Sequence, residues 1–267
     1  MIKVTEINIY PIKSTRRITL RESTVLKRGL SRDRRWMLVD DEGVFLTARQ
    51  HPRLAVVATR INAETLVANA PGMPELEVPL LPAANQSRKV RIWRDGCTAV
   101  DCGAPYHQWF SQYLGVSCHL VRMRSRDVRP VHHGYGRAGD EVSFADGFPL
   151  LLISEASLAD LNSRLDKPVS MRRFRPNVVV AGCDPYAEDD WARIRIGALV
   201  FEVAKACSRC VFTTIDPDTG EKDPQLEPLR TLSTYRKRAG GGVFFGQNLI
   251  PRDAGTIHVE DPIEILA

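Results

Sequence analysis

Two cysteines, Cys207 and Cys210, have the Cys-x-x-Cys spacing, and a serine and an arginine stand between them. Thiolates at this spacing bind zinc, exchange dithiol for disulfide, or supply one ligand to a soft metal. A zinc site is disfavoured because it needs two further ligands, and neither His132 with His133 nor the remaining cysteines form a second pair. A thioredoxin-like pair is disfavoured because it opens a helix, whereas residues 211–215 are rich in β-formers. The residues themselves leave a structural pair and a functional thiolate equally open.

The elements around the cysteines are mostly strands, and their pattern predicts an α+β fold that is mainly β. The cysteine pair is predicted as a turn between a strand that ends near Ala204 and a strand at residues 211–215. Alternation and turn signals indicate the other strands, among them residues 3–10, 18–26, 36–39, 90–93, 98–100, 178–181, 193–196 and 257–259. Two helices are predicted, one at residues 104–114 and one that Ser154 caps and Lys167-Pro168 ends.

Length and composition exclude several classes of protein. A chain of 267 residues can bury an adequate core in one large domain or two modest ones. No apolar run approaches the ~20 residues that span a bilayer, so no membrane span is expected. The first residues lack the pattern of a secretory signal, and a cytoplasmic protein is therefore expected. The 6 cysteines are spread along the chain, which argues against a disulfide framework.

Arginine carries most of the positive charge. Of the 37 basic side chains 8 are lysines, which leaves 29 arginines, and the formal net charge is +5. Arginine suits bidentate capture of phosphate and carboxylate, which indicates an anionic partner, although a nucleotide bias toward arginine codons accounts equally well for most surface positions. Nucleic acid is not the expected partner, since no recognised binding motif is present.

Several basic and polar clusters give the cysteine pair a chemical context. Guanidinium groups bind phosphate, and hydroxyl and amide groups bind the edges of a heterocycle. Together such clusters suit a phosphorylated, polar cofactor. They are Lys13-Ser14, Asp33-Arg34, Phe174-Arg175-Pro176-Asn177, Ser208-Arg209 and Phe245-Gly246-Gln247-Asn248.

These motifs resemble those of the MOSC superfamily, proteins similar to the C-terminal domain of molybdenum cofactor sulfurase. Within it they resemble the mitochondrial amidoxime-reducing components and their bacterial counterparts. The resemblance covers essentially the whole chain, and it includes the runs 10–14, 46–50, 154–158, 206–210, 216–220 and 255–257. It implies a β-barrel with a smaller α/β N-terminal region. The implied boundaries are 1–120 for the N-terminal region, whose first strands, about residues 1–34, join the barrel, and 121–267 for the barrel domain.

The resemblance also implies a set of site residues. Cys210 would be the molybdenum ligand, and Cys207 a packing neighbour. The pterin and its phosphate would be held by Lys13, Ser14, Arg34, Arg175, Ser208 and Arg209. The same site would be lined by Asn177, Asn248 and the turn Asp146-Gly147-Phe148. Two positions depart from the pattern, because mitochondrial-type relatives carry Thr-Ser at Gly147-Phe148 and Tyr at Asn248.

The function implied by the resemblance is a molybdenum-cofactor-dependent reductase of N-hydroxylated compounds, namely amidoximes, hydroxylamines and N-hydroxylated bases. The alternative is a non-catalytic carrier that delivers the cofactor. No iron–sulfur cluster is expected, since the plant-type Cys-x4-Cys-x2-Cys spacing is absent. Electrons would come from an external ferredoxin, flavoprotein or cytochrome b5-like donor. The basic segment 122–137 is the expected docking surface for such a donor.

Overall fold

The computed structural model describes residues 1–81, 86–132 and 134–267, and over these residues the protein is mainly β with three α-helices. The helices are α1 (Ala104–Leu114), α2 (Glu155–Ser163) and α3 (Leu229–Tyr235). The strands are β1 (Lys3–Ile9), β2 (Ile18–Leu20), β3 (Glu22–Leu26), β4 (Gly29–Leu30), β5 (Trp36–Val39), β6 (Ala58–Ile61), β7 (Thr65–Asn69), β8 (Leu76–Pro79), β9 (Ser87–Ile92), β10 (Asp95–Asp101), β11 (His119–Arg122), β12 (Leu150–Ser154), β13 (Val178–Ala181), β14 (Arg193–Ile196), β15 (Leu199–Arg209), β16 (Val243–Pro251), β17 (Gly255–His258) and β18 (Ile263–Ile265). Among the helices described, none is long and apolar enough to cross a membrane.

The largest sheet has eight strands in the order β18-β14-β15-β16-β12-β13-β1-β2. Its neighbours pair antiparallel except β12 and β13, which are parallel. A parallel pair needs a crossover connection, and α2 provides it. The predicted cap of α2 is confirmed, because the Ser154 side chain accepts a hydrogen bond from the Ser157 backbone at 3.0 Å. The helix ends at Ser163, earlier than the predicted stop at Lys167-Pro168.

The predicted closed barrel is not found among the described residues. The start of β1 approaches the segment before β18, where Lys3 and Pro262 form an isolated bridge. Two backbone hydrogen bonds flank this bridge, from Val4 to Asp261 at 3.0 Å and from Ile263 to Ile2 at 2.9 Å. No continuous ladder joins the two strands, so the eight-stranded sheet stays open in the part of the chain that is described.

Three smaller sheets complete the fold. A four-stranded sheet has the order β5-β11-β10-β9, and the two three-stranded sheets have the orders β17-β3-β4 and β6-β7-β8. The predicted helix α1 is confirmed, with Gly115 in the left-handed conformation at its end. Its Phe110 and Tyr113 pack into a core that also holds Trp36 and Leu120.

The local structure around the cysteines differs from the prediction. Strand β15 continues through Cys207 to Arg209, so the pair does not form a turn, and residues Val211–Thr214 form a 3-10 helix rather than a strand. The hydroxyls of Thr213 and Thr214 donate to backbone carbonyls three residues earlier, at 3.0 and 2.8 Å. Such local hydrogen bonds compete with a strand ladder and override the β-propensity of the threonines.

Strand β16, which was not predicted, pairs with β15 beside Cys207. The ladder shifts register between Ala206 and Ser208, opposite a stretch of β16 that contains Gly246. Gly246 has a φ of 78°, and a Cβ there would lie 2.8 Å from the Leu152 carbonyl oxygen. The position therefore requires glycine, and the irregular pairing sets the orientation of the residues between the two cysteines.

Candidate cofactor site

A cavity of about 150 Å³, here called the cofactor cavity, lies where N-terminal residues meet the eight-stranded sheet. The structure brings all twelve sequence-predicted residues to its wall. They are Lys13, Ser14, Arg34, Asp146, Gly147, Phe148, Arg175, Asn177, Ser208, Arg209, Cys210 and Asn248. Sequence reasoning missed several further lining residues, namely Arg49, Ala145, Leu150, Leu151, Phe212 and Thr213. It named Phe174 only as part of a motif and treated Cys207 only as packing.

The two cysteines contact different arginines. Cys210 immediately precedes the 3-10 helix, and its carbonyl accepts hydrogen bonds from the backbone and the hydroxyl of Thr213, both at 3.0 Å. The Cys210 Sγ lies 3.2 Å from Arg49 Nε, which donates to it. The Cys207 Sγ instead accepts from Arg209 at 3.0 Å and lies partly buried against the core beside α2. A fixed backbone and a guanidinium donor therefore orient the Cys210 sulfur at the cavity wall.

Arg49 links Cys210 to the opposite side of the cavity. Its second nitrogen donates to Asp146 Oδ2 at 2.5 Å, and its guanidinium lies 4.8 Å from the centre of the Trp93 ring. The signal that could have identified it was present, since Arg49 belongs to the run 46–50 that matches the family pattern. Its spacing from the cysteines gave no reason to place it there.

The buried Lys13 forms an ion pair in the cavity wall with Asp146, whose side chain is half exposed. The Lys13 ammonium donates to Asp146 Oδ1 at 2.5 Å and to the Phe144 carbonyl at 2.8 Å, and it is 6% exposed. Burial lowers the pKa of Lys13 to about 8, although Asp146 acts in the opposite direction. Burial opposes ionisation of Asp146, but Lys13 and Arg49 outweigh it and hold the pKa of that carboxyl far below its usual value.

A buried arginine holds the loop that carries Asp146. Arg129 is 1% exposed, and it donates to the carbonyls of Ser143, Ala145 and Asp146 at 3.0, 2.5 and 2.7 Å. Its remaining donors bind the Asp95 carboxylate at 2.8 and 3.1 Å. Arg129 thus fixes the loop backbone without lining the cavity itself.

Two arginines lie against one tyrosine ring. The guanidinium carbons of Arg34 and Arg175 lie 4.2 and 4.1 Å from the centre of the buried Tyr10 ring. Burial lowers the pKa of Arg175 to about 10. The Asn177 amide oxygen accepts from Arg34 at 2.9 Å and its nitrogen donates to the Asn8 carbonyl at 3.0 Å. Asn177 therefore orients Arg34, because its own polar atoms are already used.

The cavity also contains polar groups without partners. Arg209 donates to the Phe174 carbonyl at 2.6 Å, but its Nε is buried and has no hydrogen-bond partner among the described residues. Within the same residues, the side chains of Ser208 and Asn248 make no hydrogen bond. An unpaired buried donor is costly unless a ligand satisfies it. With five cations and one carboxylate in the wall, the donor set fits an anionic, polar group beside a thiol.

The predicted docking segment 122–137 is largely occupied by internal contacts. Arg124 forms an ion pair with Asp127 at 2.8 Å, Arg129 is buried, and Arg137 pairs with Glu202. His133, the second histidine considered as a zinc ligand, lies outside the described residues.

A separate cluster of Asp101, His107 and His119 brings possible metal ligands within 4.8 Å of one another. However, Arg88 lies 3.1 Å from His119 Nδ1 and 3.2 Å from the Asp101 carboxylate. The guanidinium therefore already engages two of the three candidate ligands.

The chain is similar in sequence to two family models and to several known proteins. Residues 1–117 match the model of the MOSC N-terminal beta barrel domain, and residues 139–264 match that of the MOSC domain. Mitochondrial amidoxime-reducing component 1 of Homo sapiens is 38% identical over 98% of this chain and 82% of its own length. Mitochondrial amidoxime reducing component 2 of Rattus norvegicus is 36% identical over 97% and 82%. A solved structure, the YUAD protein from Bacillus subtilis, aligns over 98% of this chain and 94% of its own at 10% identity with a TM-score of 0.47.

The comparison corrects one expectation from the sequence. A cytoplasmic protein was expected because the first residues lack a secretory signal, but the relatives that match over most of the chain are named mitochondrial. The expectation was wrong because the secretory-signal pattern concerns export alone and does not distinguish among compartments inside the cell.

Proposed function

The chain belongs to the MOSC family, and from this premise we propose that it is a molybdenum-cofactor-dependent enzyme that reduces N-hydroxylated compounds such as amidoximes. The relatives named amidoxime-reducing components support the reaction class. The observation that carries the proposal is the convergence of the Cys210 thiol and five basic side chains on one cavity.

Cys210 is the proposed protein ligand of the metal. A soft thiolate suits a metal that the pterin already holds through sulfur, and Arg49 keeps this sulfur at the cavity wall. Cys207 has a different role, because Arg209 and the packed core beside α2 engage its sulfur. When bound, the cofactor supplies the oxygen-atom transfer itself, so Cys210 acts as a ligand and not as a nucleophile.

We propose that the basic and hydroxyl side chains of the cavity bind the pterin and its phosphate. Lys13, Arg34 and Arg175 supply positive charge at one side of the cavity, and Ser208 and Arg209 supply donors from the end of β15. Ser14 completes this group with its hydroxyl, and it has a φ of 74°, a conformation that the surrounding structure must stabilise. The remaining predicted residues, Gly147, Phe148, Asn177 and Asn248, shape the wall.

Asp146 is proposed to hold the charged groups of Lys13 and Arg49 at fixed positions in the cavity wall. Its carboxylate lies between the Lys13 ammonium and the Arg49 guanidinium, so these two charges face the cavity at fixed positions. Because the pKa of Asp146 is held far below its usual value, it stays ionised and does not deliver a proton near neutral pH.

The overall reaction consumes electrons and protons. An amidoxime plus two electrons and two protons gives an amidine plus water, so the N–O bond breaks and its oxygen leaves as water. A separate ferredoxin, flavoprotein or cytochrome b5-like protein is the proposed electron source.

The test is metal and pterin analysis of the purified protein, combined with benzamidoxime reduction driven by reduced methyl viologen. We expect about one molybdenum and one pterin per chain, loss of metal and turnover in Cys210→Ala, and retention of metal in Cys207→Ala. Full turnover by Cys210→Ala would contradict the ligand assignment. Bound cofactor without any turnover would identify the alternative function, a cofactor carrier.

A further inference from the structure

The hairpin of β9 and β10 exposes an aromatic ring among basic side chains. Trp93, at its turn, is 53% exposed, and its φ of 55° is uncommon for a bulky residue. Lys89, Arg91 and Arg94 are also exposed. Val90 and Ile92 point into the core, so the alternating pattern of β9 places Lys89 and Arg91 on the outer face. We call these four exposed residues the Trp93 hairpin.

The basic side chains of the Trp93 hairpin are available to a partner. Among the described residues, Lys89, Arg91 and Arg94 make no ion pair and no side-chain hydrogen bond. Nearby charges are already paired, since Arg88 binds Asp101 and the Asp95 carboxylate binds the buried Arg129. Unpaired exposed cations attract an oppositely charged protein surface and accelerate its approach.

The Trp93 hairpin is also in direct contact with the proposed site. The Trp93 ring packs edge-on against Phe45, with ring centres 5.1 Å apart, and its face lies 4.8 Å from the Arg49 guanidinium. Arg49 Nε in turn donates to Cys210 Sγ at 3.2 Å. Arg49 therefore contacts both the exposed Trp93 ring and the sulfur that is the proposed metal ligand.

We propose that the Trp93 hairpin is the docking surface for an acidic one-electron carrier protein. This inference rests on the proposed function, which needs two electrons for each N–O bond broken. Two reduced carriers dock in turn, each is oxidised by one electron and leaves, and two protons from water complete the reduction of the amidoxime to the amidine and water. The Trp93 hairpin replaces segment 122–137 as the docking surface, because much of that segment is engaged internally.

The experiment compares two triple charge reversals of the holoenzyme. Lys89→Glu/Arg91→Glu/Arg94→Glu changes the Trp93 hairpin, and Arg21→Glu/Lys167→Glu/Arg126→Glu makes the same charge change at exposed positions elsewhere. Benzamidoxime reduction is driven either by a reduced plant-type [2Fe–2S] ferredoxin, as the acidic probe, or by reduced methyl viologen. We expect the hairpin variant to raise the KM for ferredoxin by about tenfold or more and to keep the viologen-driven rate within about twofold.

Other results would overturn the proposal. An equal rise in the ferredoxin KM for both triple variants would show a general charge effect, and a rise confined to the control variant would place docking elsewhere. A loss of viologen-driven turnover as large as the loss with ferredoxin would show damage to the active site instead of lost docking.

A binding measurement separates this proposal from the proposed function. If the wild type shows no viologen-driven turnover, the proposed function fails, and calorimetric binding of oxidised ferredoxin then tests the surface alone. We expect salt-sensitive binding that the hairpin variant loses and the control variant keeps. Binding that survives in the hairpin variant, or that is absent in the wild type, would overturn the docking surface.

A substitution of the exposed ring tests its own contribution. Trp93→Leu should lower the ferredoxin-driven kcat more than the viologen-driven kcat. Equal decreases in the two kcat values would count against a role for the ring in electron entry.

Discussion

Arg49 Nε lies 3.2 Å from Cys210 Sγ, although 161 positions separate the two residues in the sequence. The same guanidinium binds Asp146, which binds Lys13, so a row of alternating charges connects the thiol to the N-terminal segment. Asp146 lies on the loop that Arg129 holds. Three distant parts of the chain thus fix the position of a single sulfur atom.

Replacing Arg49 should alter the metal centre more than the fold. In Arg49→Lys the positive charge remains, but the simultaneous contact with Cys210 and Asp146 is lost, because an ammonium lacks the planar fork. A charge-assisted hydrogen bond contributes about 1.5–3 kcal/mol, so we expect kcat for benzamidoxime to fall by at least tenfold while most pterin is retained. The metal's reduction potential and electron paramagnetic resonance spectrum should shift as well.

The control for Arg49→Lys is Arg53→Lys, at an exposed arginine that lies over Tyr113. An unchanged potential and spectrum would show that Arg49 does not influence the sulfur.

The buried Lys13 should make anion binding depend on pH near 8. Burial lowers its pKa from about 10.5 to about 8, so the folded, cofactor-free protein loses this charge between those values while the unfolded chain keeps it. The unfolded state therefore binds more protons in that window, and the free energy of unfolding should rise as pH increases through it. Affinity for an anion should do the opposite and weaken above pH 8, by at most about tenfold per pH unit.

Calorimetric titration of the cofactor-free protein with inorganic phosphate, from pH 7 to pH 10, tests the Lys13 prediction. Lys13→Arg keeps its charge throughout this range and should remove most of the pH dependence. If the phosphate affinities of the wild type and of Lys13→Arg decrease in parallel above pH 8, the group that titrates is not Lys13.

The sequence predicted which residues share one cavity better than it predicted the local structure around them. Every proposed cofactor residue lines one cavity, because the family resemblance carries three-dimensional information that spacing alone lacks. Spacing and propensity identified α1 and α2, because Gly115 ends the first helix and Ser154 caps the start of the second. They failed at residues 211–215, where threonine hydroxyls bind nearby carbonyls and form a 3-10 helix.

Irregular pairing explains the remaining misses. Strand β16 was overlooked because Gly246 and Pro251 interrupt its alternation, and the register shift beside Cys207 has no local sequence signal. Arg49 was overlooked because its partners, Cys210 and Asp146, are close only in the folded protein. Long-range contacts of this kind follow from tertiary packing and not from any local pattern.

Gly246 should tolerate no side chain. Its φ of 78° disfavours any residue with a Cβ, and an added Cβ would lie 2.5 Å from Ile153 Cγ1 and 2.8 Å from the Leu152 carbonyl oxygen. Gly246→Ala should therefore lower the free energy of unfolding by about 1–3 kcal/mol, measured by urea denaturation. Gly96→Ala is the matched control, because it adds a Cβ with no non-neighbouring atom of the described residues within 4 Å. Equal urea midpoints for the two variants would contradict the strain assigned to Gly246.

Arg129 should be required for both stability and cofactor content, although it does not line the cavity. Arg129→Met leaves three loop carbonyls and the half-exposed Asp95 carboxylate without their donor, and each buried acceptor left unsatisfied costs about 1–3 kcal/mol. We expect a lower urea midpoint and, in the fraction that folds, reduced pterin because Asp146 is no longer fixed. Arg126→Met, at an exposed arginine three residues away, should match the wild type in both measurements. A destabilised Arg129→Met protein with normal pterin content would limit Arg129 to a structural role. Unchanged stability would contradict the buried network itself.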